Sequence, residues 1–185
     1  MAKKLVVLEG SPRKGGNTDL LSNAFIRGAE ESGNEVTKFY LAQKNIHPCM
    51  GCNACRRTAE HTCVFQDKDD FEEIIQAVIA ADVLVLASPV YFYGLTSQMK
   101  TALDRFYAKE MEVQDKKAYL ITTCAAPTEE YTQTIRACFR GFISCFENVK
   151  EGGIVAGYGT MEKGDILSNP AMQEAYEMGK QVSIE

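Results

Sequence analysis

Four cysteines crowd one stretch of the chain: Cys49, Cys52, Cys55 and Cys63, separated by two, two and seven residues. Thiolates are soft ligands, and three at tandem x2 spacing on one loop can wrap three corners of an iron–sulfur cubane while a fourth arrives from further along. Zinc also accepts four thiolates, usually from two separated x2 pairs. No Pro follows Cys63, unlike the ferredoxin run. A 4Fe-4S cluster, zinc, and an unmetallated, disulfide-prone loop all stay open from the spacing. Cys138 and Cys145, seven apart in a helical pattern, read as plain core.

A second constellation suits an anion. Gly10-Ser11-Pro12-Arg13-Lys14-Gly15-Gly16-Asn17-Thr18 follows an apolar run and leads straight into a helical pattern. Its glycines let the backbone wrap closely, Ser11, Asn17 and Thr18 carry donors, and the N–H groups of a helix start attract phosphate. Gly16-Asn17 stands where a Walker A loop has Lys-Ser/Thr, and the loop is not Gly-x-Gly-x-x-Gly. The second strand ends Tyr40-Leu41-Ala42, without the ribose-binding acid of a dinucleotide site. A single terminal phosphate is the best fit.

Two further loops have unusual composition. Ser88-Pro89-Val90-Tyr91-Phe92-Tyr93-Gly94 carries three consecutive aromatic residues, whose faces can hold a flat heterocycle with about 0.5–1.5 kcal/mol beyond burial. Thr122-Thr123-Cys124-Ala125-Ala126-Pro127 is small and polar enough to approach such a ring. His47 and His61 flank the cysteine loop and read as solvated, and Tyr107, Lys109, Glu110 and Glu112 as a wet helix end. Gly157-Tyr158-Gly159 suits approach to a nicotinamide or to an oligomer partner.

Short apolar runs at 4–8, 35–41, 83–87, 117–122 and 154–158 predict five strands. Helical periodicity between them predicts a first helix ending at Gly33 and a second from Phe71 to about Ala81. A third carries Met99, Ala102, Leu103 and Phe106. Thr128 is the expected cap of a fourth, with Ile135, Cys138, Phe139, Phe142 and Phe146 as its buried stripe. Asn169 and Pro170 open a last helix. Strands alternating with helices predict one α/β domain over residues 1–185, a doubly wound parallel sheet with helices on both faces. Residues 42–70 show no periodicity and form a long loop that carries the four cysteines. Ligands in such sheets sit beyond the carboxyl ends of the strands, where all three unusual loops lie.

The loop after the first strand, the Ser-Pro-Val-Tyr-Phe-Tyr-Gly loop, and Met99-Lys100-Thr101-Ala102-Leu103-Asp104-Arg105 in the next helix resemble the flavodoxin-like NAD(P)H-dependent FMN reductases. Within that superfamily the cysteine cluster between the second strand and the following helix is most similar to the iron-sulfur flavoproteins. The resemblance implies a five-stranded sheet of order 2-1-3-4-5. It implies that Ser11, Arg13, Gly16, Asn17 and Thr18 surround the FMN phosphate. By the same likeness Pro89, Val90, Tyr91, Phe92, Tyr93 and Gly94 line the isoalloxazine, Thr123 and Cys124 close its other edge, and Cys49, Cys52, Cys55 and Cys63 ligate a cluster. NAD(P)H is the implied electron donor and a small molecule the acceptor. The alternative is an electron carrier between protein partners such as ferredoxin. No side chain is singled out as an acid or base, because the flavin supplies the chemistry.

A formal net charge of −5 and a pI near 5.2 argue against a nucleic-acid partner. The apolar run after the two N-terminal lysines ends at Glu9, too short for a secretion signal, and no stretch reaches membrane-span length. A cytoplasmic protein, a homodimer or homotetramer, is the expectation, and seven cysteines in a reducing compartment read as ligands, thiols or core rather than a disulfide frame.

Overall fold

In the computed structural model, which describes residues 2–182, each apolar run becomes a strand. These are β1 (Lys4–Glu9), β2 (Glu35–Tyr40), β3 (Val83–Pro89), β4 (Lys117–Cys124) and β5 (Lys150–Tyr158). All pair in parallel, in the order β2-β1-β3-β4-β5 that the family resemblance implied. The helices are α1 (Asn17–Glu31), α2 (Phe71–Ala80), α3 (Ser97–Arg105), α4 (Gln133–Ile143) and α5 (Ala171–Gln181). Successive strand side chains point to opposite faces, so one continuous apolar run feeds two cores. Leu5, Val7, Val83 and Val85 meet Leu21, Phe25 and Ala175 of α1 and α5. Val6, Leu8, Leu84 and Leu86 meet Ile74, Val78, Met99 and Phe139 of α2, α3 and α4.

Backbone contact sets how closely α1 and α5 pack. A Cβ on Gly28 would lie 2.1 Å from the Tyr176 carbonyl oxygen, and one on Gly179 would lie 2.0 Å from that of Phe25. Gly10 is tight as well, since a Cβ there would lie 2.8 Å from the Thr96 hydroxyl oxygen. Its carbonyl accepts the Thr96 hydroxyl at 2.8 Å, and the same hydroxyl oxygen accepts the Met99 N–H at 3.3 Å as the cap of α3. One threonine therefore couples the loop after β1 to the loop after β3.

Several local expectations change. α4 does not start at Thr128: Glu129–Thr132 form a 3₁₀ turn, tightened by the Thr132 hydroxyl donating to the Glu129 carbonyl at 2.8 Å. Its buried ridge is Ile135, Phe139 and Ile143 at i+4 spacing, which leaves Cys138 and Cys145 exposed rather than in the core. β5 begins four residues earlier than its apolar core because pairing with β4 starts at Lys117 and Lys150, and Gly152 leaves the space that the Tyr119 ring fills. Asn169 does cap the last helix, its side-chain oxygen accepting the Ala171 N–H at 3.0 Å. The long loop is irregular apart from 3₁₀ turns at Leu41–Gln43 and Ala54–Arg57. Among the described residues no helix is long and apolar enough to cross a membrane.

Candidate functional site

The order of strands reverses between β1 and β3, and the loops leaving their carboxyl ends frame a cleft of about 170 Å³. One end of it is Ser11, Arg13, Gly16, Asn17 and Thr18. No side chain caps α1, so its first N–H groups lack the oxygen that a Ser, Asp or Asn cap would supply, and a helix of 15 residues presents its positive end here. Two hydroxyls add donors. The Ser11 oxygen accepts the Arg13 N–H at 3.2 Å, leaving its own hydrogen for the cleft. Thr18 and Thr123 hydroxyl oxygens lie 2.7 Å apart in a buried contact; one hydrogen makes that bond, and the other hydroxyl is free to donate elsewhere. This set fits a phosphate dianion.

Asn17 does something the loop composition did not foretell. Its amide nitrogen donates to the carbonyls of Thr160 (3.4 Å) and Glu162 (2.8 Å), and its oxygen accepts the N–H groups of Gly164 (2.9 Å) and Ile166 (3.4 Å). The side chain is thus committed to the segment after β5 rather than to a ligand. That segment brings Thr160 and Met161 to the cleft, where Ala125 also lies. Ala125 belongs to the small polar loop after β4, whereas Thr160 and Met161 were not expected, because contacts that close over 140 residues of chain leave no local periodicity.

At the other end the wall is Pro89, Val90 and Tyr91. Phe92 and Tyr93, expected to line the ring, stand off the cleft: Phe92 is 103% exposed and Tyr93 stacks on Tyr131 at 6.0 Å. The reason is a tight hairpin. Tyr91 and Gly94 exchange both backbone hydrogen bonds at 3.0 Å, and Phe92 and Tyr93 occupy the left-handed region at φ 47° and 67°, a type I′ turn built on two aromatic residues. Such conformations persist where the surroundings enforce them and concentrate at functional sites. Gly94 closes this turn rather than the cleft. Cys124 is buried at the end of β4, and its carbonyl accepts the Thr160 N–H at 3.0 Å. Thr123 is in the wall as expected.

Beneath the phosphate end lies a charge network unforeseen from the motifs. Glu9, which ends the apolar run of β1, is fully buried and accepts the Ser11 N–H (3.1 Å) and the Ser22 hydroxyl (2.7 Å). Asp19 accepts the Gly15 N–H (2.6 Å) and the Tyr40 hydroxyl (3.0 Å). Lys38 of β2 serves both carboxylates, at 2.5 Å from Asp19 and 3.4 Å from Glu9. Burial pushes Glu9 above the usual carboxylate range against the opposing pull of Lys38. For Asp19 burial also opposes charge, but hydrogen bonds from Lys38 and Gly15 prevail and its pKa is lowered. Burial, together with donation to Asp19, pushes the Tyr40 hydroxyl up to about 12. Both ends of the loop, Ser11 and Gly15, are therefore held by their N–H groups on buried carboxylates. The one signal in the sequence is a glutamate closing an otherwise apolar strand.

The long loop makes the second site. Cys49, Cys52, Cys55 and Cys63 all line one small pocket of about 30 Å³ against Arg105, Tyr107 and Ala108. Arg105 closes the neck of the loop, donating through Nη1 to Asp69 (2.5 Å) and to the His47 carbonyl (2.8 Å), while its guanidinium faces the Phe71 ring at 4.8 Å. Burial opposes charge on Asp69, yet the Arg105 bond and the His47 and Phe71 N–H groups outweigh it and lower its pKa. The segment after α3 is not merely a wet helix end: Glu110 pairs with Arg56 at 2.5 Å, Tyr107 lies under the Arg56 guanidinium, and Lys109 donates to the Glu60 carbonyl. Nor are the histidines simply solvated: His47 stacks on Phe65 at 4.6 Å with its Nδ1 3.4 Å from Asp69, and the buried Nδ1 of His61 has no hydrogen-bond partner.

Among the described residues no three His, Cys, Asp or Glu side chains converge as a single metal ion needs. Zinc at about 2.3 Å from each sulfur would draw four sulfurs together, whereas a cubane spreads its four ligands over separate iron corners. Cys49, Cys52, Cys55 and Cys63 share one pocket with Arg105, a soft thiolate donor set beside a cation that suits an anionic cluster.

Known proteins place the chain. It is 42% identical over 102 residues to an iron-sulfur flavoprotein of Archaeoglobus fulgidus, covering 55% of this chain and 44% of that one. An iron-sulfur flavoprotein of Methanocaldococcus jannaschii is 38% identical over 102 residues, 55% of this chain and 51% of that one. The match spans about half the length of these curated relatives. In fold the chain is similar to an NAD(P)H:quinone oxidoreductase from Methanothermobacter marburgensis, with a TM-score of 0.75 at 16% identity, over 98% of this chain and 96% of that one. The model of the NADPH-dependent FMN reductases matches residues 3–145, the stretch that holds the phosphate loop, the cysteine pocket and the β3 and β4 walls of the cleft, and the chain belongs to that family.

Proposed function

We propose that this chain is an FMN-dependent oxidoreductase that takes reducing equivalents from NADH or NADPH and delivers them to a small acceptor, and that its cysteine loop holds a 4Fe-4S cluster. The observation that carries the reading is the meeting, in one cleft, of the uncapped start of α1 with Ser11, Arg13 and Thr18 at one end and Pro89, Val90 and Tyr91 at the other. Bound there, FMN would supply hydride and single-electron chemistry. The residues bind and orient. Helix N–H groups, the Ser11 and Thr18 hydroxyls and Arg13 hold the phosphate, and Glu9, Asp19 and Lys38 keep that loop in shape from below. The strand-end wall supports the ring, with Thr123 at its edge.

Anaerobic titration with FMN and with riboflavin tests the phosphate end. FMN is expected to bind tighter by about 1.5–3 kcal/mol for each charge-assisted hydrogen bond its phosphate gains, and Thr18→Ala to remove one of these while leaving riboflavin affinity unchanged. Equal affinity for both flavins refutes the assignment. Rapid anaerobic mixing with NADH and NADPH tests the reaction, since direct loss of flavin absorbance is expected. If neither nicotinamide bleaches the flavin and a reduced ferredoxin does, the chain is instead an electron carrier. The four-cysteine pocket is what favours that second reading. Light scattering checks the expected homodimer or homotetramer.

A further inference from the structure

Arg105 is 3% exposed, and its Nη1 is occupied by Asp69 and the His47 carbonyl, yet its Nε is buried with no partner. A buried donor left unpaired is destabilising, and this one belongs to a side chain that lines the same pocket as Cys49, Cys52, Cys55 and Cys63. Of the other buried nitrogens without a hydrogen bond, His47 Nδ1 lies 3.4 Å from Asp69 and His61 Nδ1 belongs to a residue outside that wall. Asp104, the acid on the wall, is paired with Lys100 at 2.5 Å. The guanidinium cannot swing away, because Asp69 and the rings of Phe65 and Phe71 fix it.

We infer that Arg105 is a positioning and potential-setting residue for the cysteine-bound group: its Nε–H donates to a sulfur of an anionic cluster in this pocket. The inference rests on the cluster reading above. A positive charge and a hydrogen bond at the sulfurs favour the more negative, reduced state, because cluster potentials follow net charge and hydrogen bonding to sulfur. The couple moves one electron onto the cluster, supplied in the test by dithionite. Arg105 keeps its proton throughout and no bond to the protein breaks.

The test uses the full chain, reconstituted anaerobically with iron and sulfide and titrated under dithionite with electron paramagnetic resonance as the readout. At the wild-type midpoint, Arg105→Gln is expected to lower the ratio of reduced to oxidised cluster about tenfold, which is about 59 mV for one electron. Arg105→Lys keeps the charge but loses Nε, and shifts the ratio in the same direction by less. Lys180→Gln, an exposed cation on α5, leaves it unchanged. Because Arg105 also closes the loop, wild-type protein labelled with ¹⁵N-arginine provides a readout without substitution: the reduced cluster should show a ¹⁵N hyperfine coupling. A cluster that forms without that coupling, or a folded variant with an unchanged ratio, overturns the assignment of Arg105 alone. Wild-type protein that takes up no iron and sulfide overturns the cluster reading and this inference together.

Discussion

Replacing Lys38 with Met isolates what holds the phosphate loop in place. The substitution keeps the volume of the stem and removes a charge that sits 2.5 Å from Asp19 and 3.4 Å from Glu9, with carboxylate side chains only 3% and 0% exposed. Removing one partner of a buried ion pair costs about 3–5 kcal/mol, because the remaining charge is left uncompensated. Protonation offers partial relief. Burial already raises the pKa of Glu9, and Lys38 is the largest influence opposing that rise, so the variant moves it higher still. A carboxyl whose folded pKa is raised contributes stability that is fully present below its unfolded value, about 4.3, and loses it as pH rises through the folded pKa. The variant is therefore penalised more at higher pH, by at most about 1.36 kcal/mol per pH unit for the one proton. Urea unfolding should show a loss of about 3–5 kcal/mol at about pH 7.5 that shrinks by up to about 2.7 kcal/mol at about pH 5.5. Adding Glu9→Gln should restore part of it, because a neutral amide needs no counter-charge. A loss below about 1 kcal/mol, or one that is the same at both pH values, would show that solvent screens the network and refute the reasoning.

Phe92→Asn should stabilise the protein by about 1 kcal/mol, since the ring is fully exposed and Asn tolerates the left-handed backbone that Phe92 adopts; a lower melting temperature would mean the ring is packed in solution. Gly28→Ala, whose Cβ would meet the Tyr176 carbonyl oxygen at 2.1 Å, should cost about 3 kcal/mol, the upper end of overpacking penalties, read by denaturant unfolding; a neutral result would show that α1 and α5 separate easily. Asp69 has a lowered pKa, so its contribution is present above its unfolded value of about 3.9 and is lost as pH falls through the folded one. Labelling of buried Cys55 relative to exposed Cys138, a ratio that cancels the common fall in thiolate fraction, should accordingly rise below about pH 4, and Asp69→Asn should give fast relative labelling already at neutral pH.

The sheet was legible because both of its faces are covered: continuous apolar runs such as Leu5 to Leu8 and Val83 to Ala87 have few other uses in a chain of this length. The glycine-rich loop into α1 was legible because glycines and hydroxylated residues running into a helix form a local signal, complete within nine residues. Element boundaries were less so. Thr128 looked like a helix cap, and Cys138 like core, because local pattern does not say which ridge of α4 the sheet will choose.

What escaped was every feature that depends on distant residues meeting. Asn17 reads as a phosphate donor until the segment from Thr160 to Ile166 arrives and takes all of its amide bonds. Lys38 reads as one polar residue in an edge strand until β2 pairs with β1 and sets it between Glu9 and Asp19. Arg105 reads as part of a helix motif until the cysteine loop folds over it. The sequence by itself determined the strands and the parallel sheet, because these follow from local periodicity and side-chain chemistry. Only the tertiary structure decided which donors stay free, because a hydrogen bond or ion pair consumes a donor only when its partner comes within about 3 Å, and that distance is a property of the fold.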